Sequence, residues 1–550
     1  MRFDFEHPYP FATGYSKPVA YFSMEFAIHQ PLKTYSGGLG YLAGSHMRSA
    51  FELKQNIVGI GILWKYGYYD QVRKHDQTMY VLFQKKLYGF LQETGIKLTI
   101  SVSGHDVVVT AYYLPPGLFN TAPVFFLSTD LPENDYLAKT ISHKLYDANP
   151  ETTIAAAILL GLGGAMLLEK LNWHPEVYHL NESHALPLAF YLYSKYNKVE
   201  EVKKRLVFTN HTPEAGGNKK TDIFQLEKFG FFCGIPLSEI RKITGSEGDL
   251  LDHTLTGLRL AGMANGVSKM HHQTLINMWK GYEDLCSTIS ITNAQNFTYW
   301  ADTKMYNALA ENNDGALQEI KLHRKRRLFE QVAEQAGEIY DERTITIVFA
   351  RRIAGYKRAE LLFNNMERFH RLVTNKERPV QIIWAGKPYP MDYAGIATFD
   401  KIVNICKSYP NCAILTGYEL KLSRMMKQGA DVWLNVPRIT HEASGTSGMS
   451  AAMNGAVNVS IPDGWVPEFA KDKINCFVIP AADPGGNVHK QDEEDANSMY
   501  DILEKEVIPM YYDNPAAWLA IVKNSMKDIA PQFDSNRMAK EYYEQLYLKI

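Results

Sequence analysis

This sequence of 550 residues has few cysteines, a small net charge and few long apolar runs. Each of these features argues against a class of protein. The five cysteines are scattered, odd in number and never arranged as CxxC, which argues against a disulfide framework or a zinc knot and predicts a reducing compartment. The net charge is only −2, so no global basic field gathers nucleic acid or an anionic membrane. We therefore expect no nucleic-acid partner, and any anion site must be local.

The longest apolar run, Ile154–Leu168, is short for a bilayer span and rich in glycine. We predict that it forms a buried helix. The first residues lack the apolar core of a signal peptide. These features together predict a cytoplasmic protein without a membrane partner.

Short apolar runs alternate with helical patterns along most of the chain, which predicts an α/β fold with parallel sheets. Six of these runs have the length of buried strands, and each enters a polar loop: PEVYHL, RLVFTNHT, TITIVFARR, PVQIIWAG, NCAILTG and DVWLNVP. Binding sites in parallel sheets lie beyond the carboxyl ends of the strands. The polar clusters that follow these runs are therefore the candidate functional residues.

The length predicts roughly two to four domains, and a boundary is expected near Ser290–Trp300. We predict a helical hairpin within Asp302–Arg343 and one amphipathic helix over Ala359–Lys376. The predicted limits are an N-terminal domain with helical insertions, a C-terminal domain, and a terminal helix that packs back across both, at 1–290, 291–525 and 526–550.

Three glycines precede a helical pattern in the segment YSGGLGYLAG, namely Gly37, Gly38 and Gly40. Glycine permits a tight turn whose backbone N–H groups can meet an anion at a helix N-terminus. The alternative is a helix entry that needs glycine only for its backbone conformation.

The segment FARRIAGYKR follows an apolar run and brings four cations into one strand-exit turn: Arg351, Arg352, Lys357 and Arg358. Such a concentration of positive charge is costly unless an anion is bound. The alternative is a solvated basic loop. With the glycine turn, this cluster predicts one phosphate pocket between two domains.

Two further strand-exit segments, HLNESHA and FTNHTPEAGGN, carry polar groups at loop tips: Asn181, Glu182, His184, Asn210 and His211. Sugar hydroxyls need such fixed donors and acceptors, although loop capping would also use them. Neither HExxH nor facial-triad spacing is present, so we expect no metal.

The densest cluster is HEASGTSGMSAAMNGAVNVSIPDGWVPE, in which small residues run into a helical pattern. This pattern predicts a helix N-terminus that offers amides to an anion, with Glu442 available to accept hydrogen bonds from hydroxyl groups. An ordinary capped helix start is the alternative.

Taken in order, YFSMEF, YSGGLGYLAG, HLNESHA, TNHTP, ANGVSKMH, ITNAQN, FARRIAGYKR, WAGKPYP and DVWLNVPR…EASGTSGM…NGAVNVSIPDGW resemble the glycogen/α-glucan phosphorylase family in its short bacterial and archaeal form. The resemblance covers nearly the whole chain. It implies a GT-B architecture, with two Rossmann-like domains and an active site in the cleft between them. It also implies retaining transfer of an α-glucosyl unit between an α-1,4-glucan and phosphate.

Motif position implies a role for each candidate residue. The residues implied to face the glucosyl ring are His211 and Asn293, and those implied to hold its hydroxyls are Glu442, Ser444 and Gly445. The residues implied to grip the substrate phosphate are Arg352 and Lys357, with Gly37 and Gly38 at the same site. The residues implied to lie at the phosphate of the cofactor, pyridoxal phosphate, are Arg351, Thr446 and Ser447.

One departure from the family concerns the cofactor directly. The family anchors pyridoxal phosphate on a lysine at the end of the EASGTSGM segment, and this chain has Ser450 there. A hydroxyl cannot form an imine, so we expect no covalent pyridoxal phosphate and leave noncovalent binding open. Lys387, Lys471 and Lys473 lie in or near neighbouring motifs, but nothing in their spacing directs them inward.

Three functions therefore stay open. The first is a phosphorylase whose partners are an α-glucan or oligosaccharide and phosphate or a sugar phosphate. The second is a transferase that uses a sugar nucleotide; Glu442 and Ser450 stand eight positions apart, as two glutamates often do in retaining GT-B transferases. The third is a noncatalytic glucan-binding descendant. A homo-oligomer is left open as well.

Overall fold

The structure is a computed structural model that describes residues 3–550. Its strands, in chain order, are β1 Val19–Phe22, β2 Ile57–Ile62, β3 Asp70–Arg73, β4 Met79–Leu82, β5 Gln92–Val102, β6 His105–Leu114, β7 Val124–Ser128, β8 Val177–Asn181, β9 Leu206–Thr209, β10 Lys220–Asp222, β11 Leu250–Asp252, β12 Met263–Gly266, β13 Ser287–Ser290, β14 Ile345–Ala350, β15 Val380–Ala385, β16 Cys412–Leu415, β17 Val432–Asn435, β18 Val457–Ser460 and β19 Phe477–Val478.

The α-helices, in the same order, are α1 Gly38–Glu52, α2 Pro116–Phe119, α3 Tyr136–Thr140, α4 Pro150–Ile158, α5 Gly164–Lys170, α6 Pro187–Tyr196, α7 Val199–Lys203, α8 Ile223–Phe229, α9 Leu237–Thr244, α10 His253–Leu260, α11 Lys269–Met278, α12 Phe297–Trp300, α13 Thr303–Ala310, α14 Asp314–Ala336, α15 Met366–Val373, α16 Tyr393–Cys406, α17 Leu420–Gly429, α18 Thr446–Ala452, α19 Val466–Phe469, α20 Val488–Ile502, α21 Ile508–Asp513, α22 Pro515–Phe533 and α23 Ser535–Glu541.

The chain divides into two compact units. The first holds the residues up to Tyr69 together with Phe83–Asn293 and Ser535–Ile550, and the second holds Asp70–Leu82 and Ala294–Asp534. The domain limits predicted from the sequence, 1–290, 291–525 and 526–550, stay a prediction.

The first unit is built on a nine-stranded sheet in the order β13-β12-β9-β8-β1-β2-β7-β6-β5. The strands from β13 to β7 are parallel, and the long hairpin β5–β6 adds antiparallel strands at one edge. The order reverses between β1 and β8, so the loops after these two strands flank a topological switch point. Crevices at such points bind ligands in doubly wound sheets.

The second unit contains a six-stranded parallel sheet in the order β16-β15-β14-β17-β18-β19. Counted from β14, this is the doubly wound order 3-2-1-4-5-6 of Rossmann folds. Its switch point lies between β14 and β17. The α/β fold class predicted from the alternating pattern is confirmed, and two sheets of this kind fit the GT-B families.

All six runs predicted as buried strands form strands, namely β8, β9, β14, β15, β16 and β17. The predicted hairpin is also present, since α13 and α14 pack against each other. The single helix predicted over Ala359–Lys376 is wrong. The segment instead contains a short 3₁₀ turn, Leu361–Asn364, followed by the separate helix α15. The side chain of Asn365 caps the start of α15 by accepting a hydrogen bond from the N–H of Arg368 at 3.0 Å.

The apolar run Ile154–Leu168 forms a buried helix, as predicted. Within residues 3–550, one helix has the length and composition to cross a membrane, Pro150–Lys170, and 72% of its most apolar stretch of 18 residues is buried inside the protein. Its middle, Leu159–Gly163, is a π-helical turn. An added Cβ on Gly161 would lie 2.7 Å from the carbonyl oxygen of Ala185, so glycine permits a close approach of neighbouring backbone.

The C-terminal segment of the chain packs against the sheet of the first unit. Tyr547 and Thr209 each place a hydroxyl oxygen 2.7 Å from a ring nitrogen of His179, which lies on β8. The side-chain amide of Asn265 donates to the hydroxyl of Tyr542 at 3.1 Å. These buried contacts tie the last helical turns to the strands that lead into the site loops.

Candidate active site

At the switch point of the second unit, a carboxylate lies between two cations. Nη2 of Arg351 donates to Oε2 of Glu442 at 2.6 Å, and Nζ of Lys357 donates to both oxygens of Glu442 at 3.0 and 2.9 Å. Arg351 directly follows β14, Lys357 ends the next turn, and Glu442 lies in the loop after β17. The sheet therefore assembles the group from segments that are 85 and 91 residues apart.

The charge state of Glu442 is set by these neighbours. Burial by itself would raise the pKa of this carboxyl, but the charges of Arg351, Lys357 and Arg352 outweigh it and lower the pKa to about 2. Glu442 is therefore a carboxylate at neutral pH. Because a carboxylate has about four acceptor positions, it keeps capacity for hydroxyl donors besides its two cations.

Arg351 has more donors than its carboxylate partner uses. The residue is 6% exposed, and its Nε and Nη1 atoms are buried without a hydrogen-bond partner in the structure of residues 3–550. Buried polar groups of this kind are rare in native proteins and call for an explanation. An anion with several acceptor oxygens would satisfy both nitrogens.

The other cations of the basic turn differ from one another. Arg352 is exposed. Arg358 is buried and donates to the carbonyl oxygens of Val436 and Pro437, both at 2.9 Å. It also pairs with the carboxylates of Asp492 and Asp495, which both lie on α20. Protein carboxylates therefore contact three of the four cations, Arg351, Lys357 and Arg358, and the prediction that the cluster binds an anion stays a prediction.

Asp463 orders the loop that carries Ser444 and Gly445. The carboxylate of Asp463 accepts hydrogen bonds from the N–H of Glu442 at 2.9 Å and from the N–H of Gly464 at 2.8 Å. Burial raises the pKa of Asp463 to about 6. Gly464 has a φ of +60°, and an added Cβ would clash with the carbonyl oxygen of Ser444, so only glycine fits.

Ser450 lies inside α18, which begins at Thr446. The residue is completely buried, and its Oγ lies 3.3 Å from the carbonyl oxygens of Thr446 and Ser447. This is the back-bonding expected of a serine within a helix. The hydroxyl therefore points along its own helix, and the position supplies no amine.

The lysines that the sequence offered as replacements are each held by a carboxylate. Lys387 pairs with Glu419 at 2.8 Å. The other two lysines are largely exposed. Lys471 pairs with Asp528 at 3.0 Å, and Lys473 pairs with Glu506 at 2.8 Å. These contacts give none of the three a reason to reach Ser450.

In the first unit, a carboxylate after β1 orders the glycine turn. The carboxylate of Glu25 accepts hydrogen bonds from the N–H groups of Ser36 and Gly37 at 2.6 and 3.1 Å and from the hydroxyl of Tyr146 at 2.6 Å. An added Cβ on Gly40 would lie 2.8 Å from the same carboxylate. Sequence reasoning missed Glu25, although its place just beyond the carboxyl end of β1 was a usable signal.

The glycine turn has an open side. Among the described residues, an added Cβ on Gly37 or on Gly38 would meet no atom within 4 Å. The N–H of Gly37 is already bound to Glu25, so the amides that remain for an anion are those of the first turn of α1. Both glycines therefore leave room for a ligand beside the turn.

His211 is fixed in place and neutral. Its Nε2 lies 2.7 Å from Oδ1 of Asn181, and its backbone N–H donates to the carboxylate of Glu182 at 2.8 Å. Because an amide oxygen only accepts, Nε2 carries the ring proton. Burial lowers the pKa of His211 to about 3, with a smaller effect from the nearby histidines His271 and His184.

Glu182 adopts a backbone conformation that is unusual for a residue with a side chain, with φ of 70° and ψ of 173°. Strain of this kind costs of the order of 1–3 kcal/mol and collects at functional sites. Burial raises the pKa of its carboxyl, which accepts hydrogen bonds from the N–H groups of His211 and Ser183.

Within residues 3–550, no three His, Cys, Asp or Glu side chains are grouped to hold a metal ion.

Asn293, which ends the segment Phe83–Asn293 of the first unit, donates its N–H to the carbonyl oxygen of Val267 at 2.9 Å. Its side-chain oxygen is buried and has no hydrogen-bond partner in the described part of the chain. The same holds for the amide nitrogen of Asn210 and, in the second unit, for the hydroxyl of Ser444. These are the unsatisfied groups that a polyhydroxylated ligand would pair.

The predicted residues thus fall into one group in each unit. The first unit brings together Gly37 and Gly38 after β1 and places His211 beside Asn181 and Glu182. The second brings together Arg351, Lys357, Glu442 and the start of α18. The shared pocket and the roles assigned to individual residues stay predictions.

Comparison with known proteins places the chain. A family model described as carbohydrate phosphorylase matches residues 254–478, and one described as starch synthase catalytic domain matches residues 31–288. A maltodextrin phosphorylase of Thermococcus litoralis is 34% identical, across 98% of this chain and 72% of that protein. A glycogen phosphorylase of Aquifex aeolicus is 31% identical, across 98% of this chain and 87% of that protein.

An uncharacterized protein of Methanocaldococcus jannaschii is 44% identical, across 96% of this chain and all of that protein. It supplies no activity. The two phosphorylases do name one, and this chain covers more than two thirds of each. The chain therefore belongs to the carbohydrate phosphorylase family of glycosyltransferases.

Proposed function

We propose that this protein transfers an α-glucosyl unit, with retention of configuration, between an α-glucan and inorganic phosphate, releasing or consuming glucose 1-phosphate. The phosphorylases named above support the glucan, since one is a maltodextrin and the other a glycogen phosphorylase. The observation that carries the phosphate is Arg351, whose Nε and Nη1 are buried donors without a partner among residues 3–550.

The second unit supplies the polar groups for phosphate and sugar. Lys357 donates to both oxygens of Glu442, and a phosphate oxygen can accept its remaining donor because an ammonium has three. We infer that exposed Arg352, whose charge also lowers the pKa of Glu442, contacts the same anion. Glu442 stays ionised, so it accepts hydrogen bonds from sugar hydroxyls while Ser444 offers its buried hydroxyl.

The first unit supplies fixed neutral groups. His211 is uncharged and locked by Asn181 and Glu182, so it presents a polar ring to the glucosyl unit without competing for the phosphate. The buried side-chain oxygen of Asn293 accepts a hydrogen bond from a sugar hydroxyl group. Gly37 and Gly38 leave space beside the N-terminus of α1 for the phosphate group.

Pyridoxal phosphate, the cofactor of this family, fits the site at its phosphate end. Arg351 can turn one of its two buried donors to that phosphate and the other to the substrate phosphate, and Thr446 and Ser447 lie in the first turn of α18. When bound, the cofactor supplies a phosphate group that donates a proton to the substrate phosphate. We propose that the serine at position 450 forms no covalent bond to it.

Ligand stabilisation of the folded protein tests this function against its rivals. We expect glucose 1-phosphate and phosphate to raise the melting temperature, since a ligand at 100 times its Kd stabilises the fold by about 2.7 kcal/mol. Stabilisation by UDP-glucose or ADP-glucose alone would contradict the proposal. Stabilisation by maltodextrin, with no response to any phosphate compound, would support a noncatalytic glucan-binding protein instead.

A sugar-nucleotide transferase is the second candidate, because the starch synthase model matches residues 31–288. Such an enzyme would use position 450, eight residues after Glu442, to hold the ribose of its donor. The hydroxyl of Ser450 is fully buried and lies against two carbonyl oxygens of its own helix. This placement makes Ser450 a poor ribose ligand and favours the phosphorylase function.

A further inference from the structure

A buried series of hydrogen bonds crosses the switch point of the first sheet and ends at the ring of His211. Nε2 of His211 lies 2.7 Å from Oδ1 of Asn181, and the side-chain amide of Asn181 donates to the hydroxyl of Ser23 at 3.0 Å. The hydroxyl of Ser23 donates to the carbonyl oxygen of Glu25 at 2.8 Å. Ser23 and Asn181 are 0% and 1% exposed, so bulk water does not compete for these contacts.

The parallel sheet brings the members of this hydrogen-bond series together. Ser23 directly follows β1, and Asn181 is the last residue of β8, which pairs with β1. Asn181 is paired on its other side with Thr209, the last residue of β9, and His211 follows shortly after. Neighbouring strand ends therefore place the three side chains side by side, although 158 and 30 residues separate the partners of the two contacts.

The hydroxyl of Ser23 determines which way the amide of Asn181 points. A serine hydroxyl has one proton, and Ser23 gives it to the carbonyl oxygen of Glu25. The oxygen of Ser23 can then only accept, and it receives the N–H of Glu25 at 3.4 Å as well as the amide of Asn181. The NH₂ group of Asn181 therefore faces Ser23, and the oxygen of the same amide faces His211.

This orientation in turn determines the tautomer of His211. Burial lowers the pKa of His211 to about 3, so at neutral pH one ring nitrogen carries a proton and the other carries a lone pair. The amide oxygen of Asn181 only accepts, so the proton is on Nε2. Nδ1 then carries the lone pair, and the ring can offer an acceptor to a ligand hydroxyl at that nitrogen.

We propose that Ser23 is a positioning residue that selects the tautomer of His211 through Asn181, and so decides whether the ring offers the sugar an acceptor or a donor. Without the hydroxyl, either orientation of the Asn181 amide leaves one of its polar groups unsatisfied, so neither is favoured and both tautomers become populated. The role in sugar binding rests on the function proposed above, which assigns His211 to the glucosyl unit. The choice of tautomer requires no ligand.

The hydrogen-bond series starts at the residue that also orders the glycine turn. The backbone of Glu25 contacts the hydroxyl of Ser23 through both its carbonyl oxygen and its N–H, and its carboxylate accepts the N–H groups of Ser36 and Gly37. The ring of His211 and the glycine turn are therefore oriented from the same short segment after β1.

Ser49 provides a matched control for Ser23. It lies on α1 in the same unit and is also 0% exposed, and its hydroxyl oxygen lies 2.6 Å from that of Ser535. Ser49→Ala thus removes a buried hydroxyl that is bonded to the C-terminal segment. General destabilisation should appear in both alanine variants, whereas a change of tautomer should appear in Ser23→Ala alone.

The experiment is nitrogen nuclear magnetic resonance on the full-length, ligand-free protein, with ¹⁵N only at Nδ1 of histidine. The signal of His211 is assigned by its loss in His211→Gln. We expect an unprotonated Nδ1 in the wild type and in Ser49→Ala, and a shift toward the protonated form in Ser23→Ala. Ser23→Cys keeps a side chain of similar size with a weaker acceptor, so we expect a smaller shift in the same direction. Melting curves check that each variant is folded.

Calorimetric titration with glucose 1-phosphate measures the consequence for binding. We expect the Kd to rise about 2- to 10-fold in Ser23→Ala, as for one lost hydrogen bond, and to stay unchanged in Ser49→Ala. A changed tautomer with unchanged affinity would overturn the positioning role.

A protonated Nδ1 in the wild type, or the same Nδ1 signal in the wild type and in folded Ser23→Ala, overturns the proposal whatever the ligands do. Failure of the proposed function has a different signature. The wild type would then bind neither glucose 1-phosphate nor phosphate, although the Nδ1 signal still responds to Ser23→Ala. That result keeps the selection of the tautomer and rejects its role in sugar binding.

Discussion

Arg351 and Glu442 form a buried ion pair, with Nη2 of the arginine 2.6 Å from Oε2 of the glutamate. The two residues follow β14 and β17, the neighbouring strands at which the order of the second sheet reverses. Lys357 completes the group by contacting both carboxylate oxygens. The ion pair therefore fixes the two switch-point loops before any ligand binds.

Glu442→Gln tests the cost of breaking this group. The change leaves two buried cations without their carboxylate, and loss of one partner of a buried pair typically costs about 3–5 kcal/mol of unfolding free energy. We expect a loss of that order in urea unfolding. Added phosphate should recover more stability in the variant than in the wild type, and equal recovery in both would contradict an anion site at Arg351.

The acid side of the stability profile should carry the signature of Glu442. Its pKa in the folded protein is about 2, below the ordinary 4.5, so its stabilising contribution is complete above pH 4.5 and is lost as the pH falls toward 2. The full contribution corresponds to about 3 kcal/mol. The difference in unfolding free energy between wild type and Glu442→Gln should shrink as the pH falls from about 5 to about 2. A difference that does not change with pH would show that Glu442 is not ionised against the two cations.

The contribution of Asp463 to the unfolding free energy should change with pH in the opposite direction. Its pKa is raised from 3.8 to about 6, so the folded state binds its proton more tightly than the unfolded chain does. Stability is then lost as the pH rises from 3.8 through 6. Asp463→Asn keeps an acceptor oxygen for one of the two backbone donors and removes the charge. Relative to the wild type, we expect the variant to gain unfolding free energy across that interval, and a parallel pair of profiles would refute the raised pKa.

Arg352→Ala separates ligand binding from folding. Arg352 is exposed, so its loss should leave the unfolding free energy nearly unchanged. Affinity for phosphate or glucose 1-phosphate should fall by about 1.5–3 kcal/mol, as expected for one charged hydrogen bond. Calorimetric titration measures this, with Arg371→Ala on α15 as the control, because Arg371 is also exposed. Unchanged affinity for both ligands would remove Arg352 from the site.

Gly464→Ala should distort the loop that carries Ser444 and Gly445. The position has a φ of +60°, and the added methyl group would clash with the carbonyl oxygen of Ser444. Backbone strain alone costs about 1–3 kcal/mol, and the clash adds to it. Gly315→Ala within α14 is the control, since the nearest atom to its added Cβ is 3.8 Å away. Equal melting temperatures for the two variants would contradict this account of the loop.

Local pattern was sufficient to predict the strands and the positions of the site loops. Runs such as TITIVFA and DVWLNV are too apolar to lie anywhere but in a buried sheet, and the polar residues after them had to lie at strand ends. Asn365 shows the limit of that reasoning. Its side chain starts α15, whereas the apolar periodicity of the surrounding residues suggested one continuous helix.

The contacts across the sequence could not be predicted. Nothing in FARRIAGYKR indicates that Arg351 and Lys357 contact Glu442. Nor does the segment indicate that Arg358 pairs with two aspartates and donates to two backbone carbonyl oxygens. The burial of Lys427 could not be predicted either. A lysine in a helix is normally at the surface, and only the packing of α17 against its neighbours shows that this one is fully buried.

Product formation tests the central claim most directly. The purified protein is incubated with maltodextrin, inorganic phosphate and pyridoxal phosphate, and the products are followed by phosphorus and proton nuclear magnetic resonance. We predict the appearance of α-glucose 1-phosphate, its dependence on added or bound pyridoxal phosphate, and its loss in Arg351→Ala. Absence of glucose 1-phosphate, together with glucosyl transfer from a sugar nucleotide to maltodextrin under the same conditions, would contradict the account.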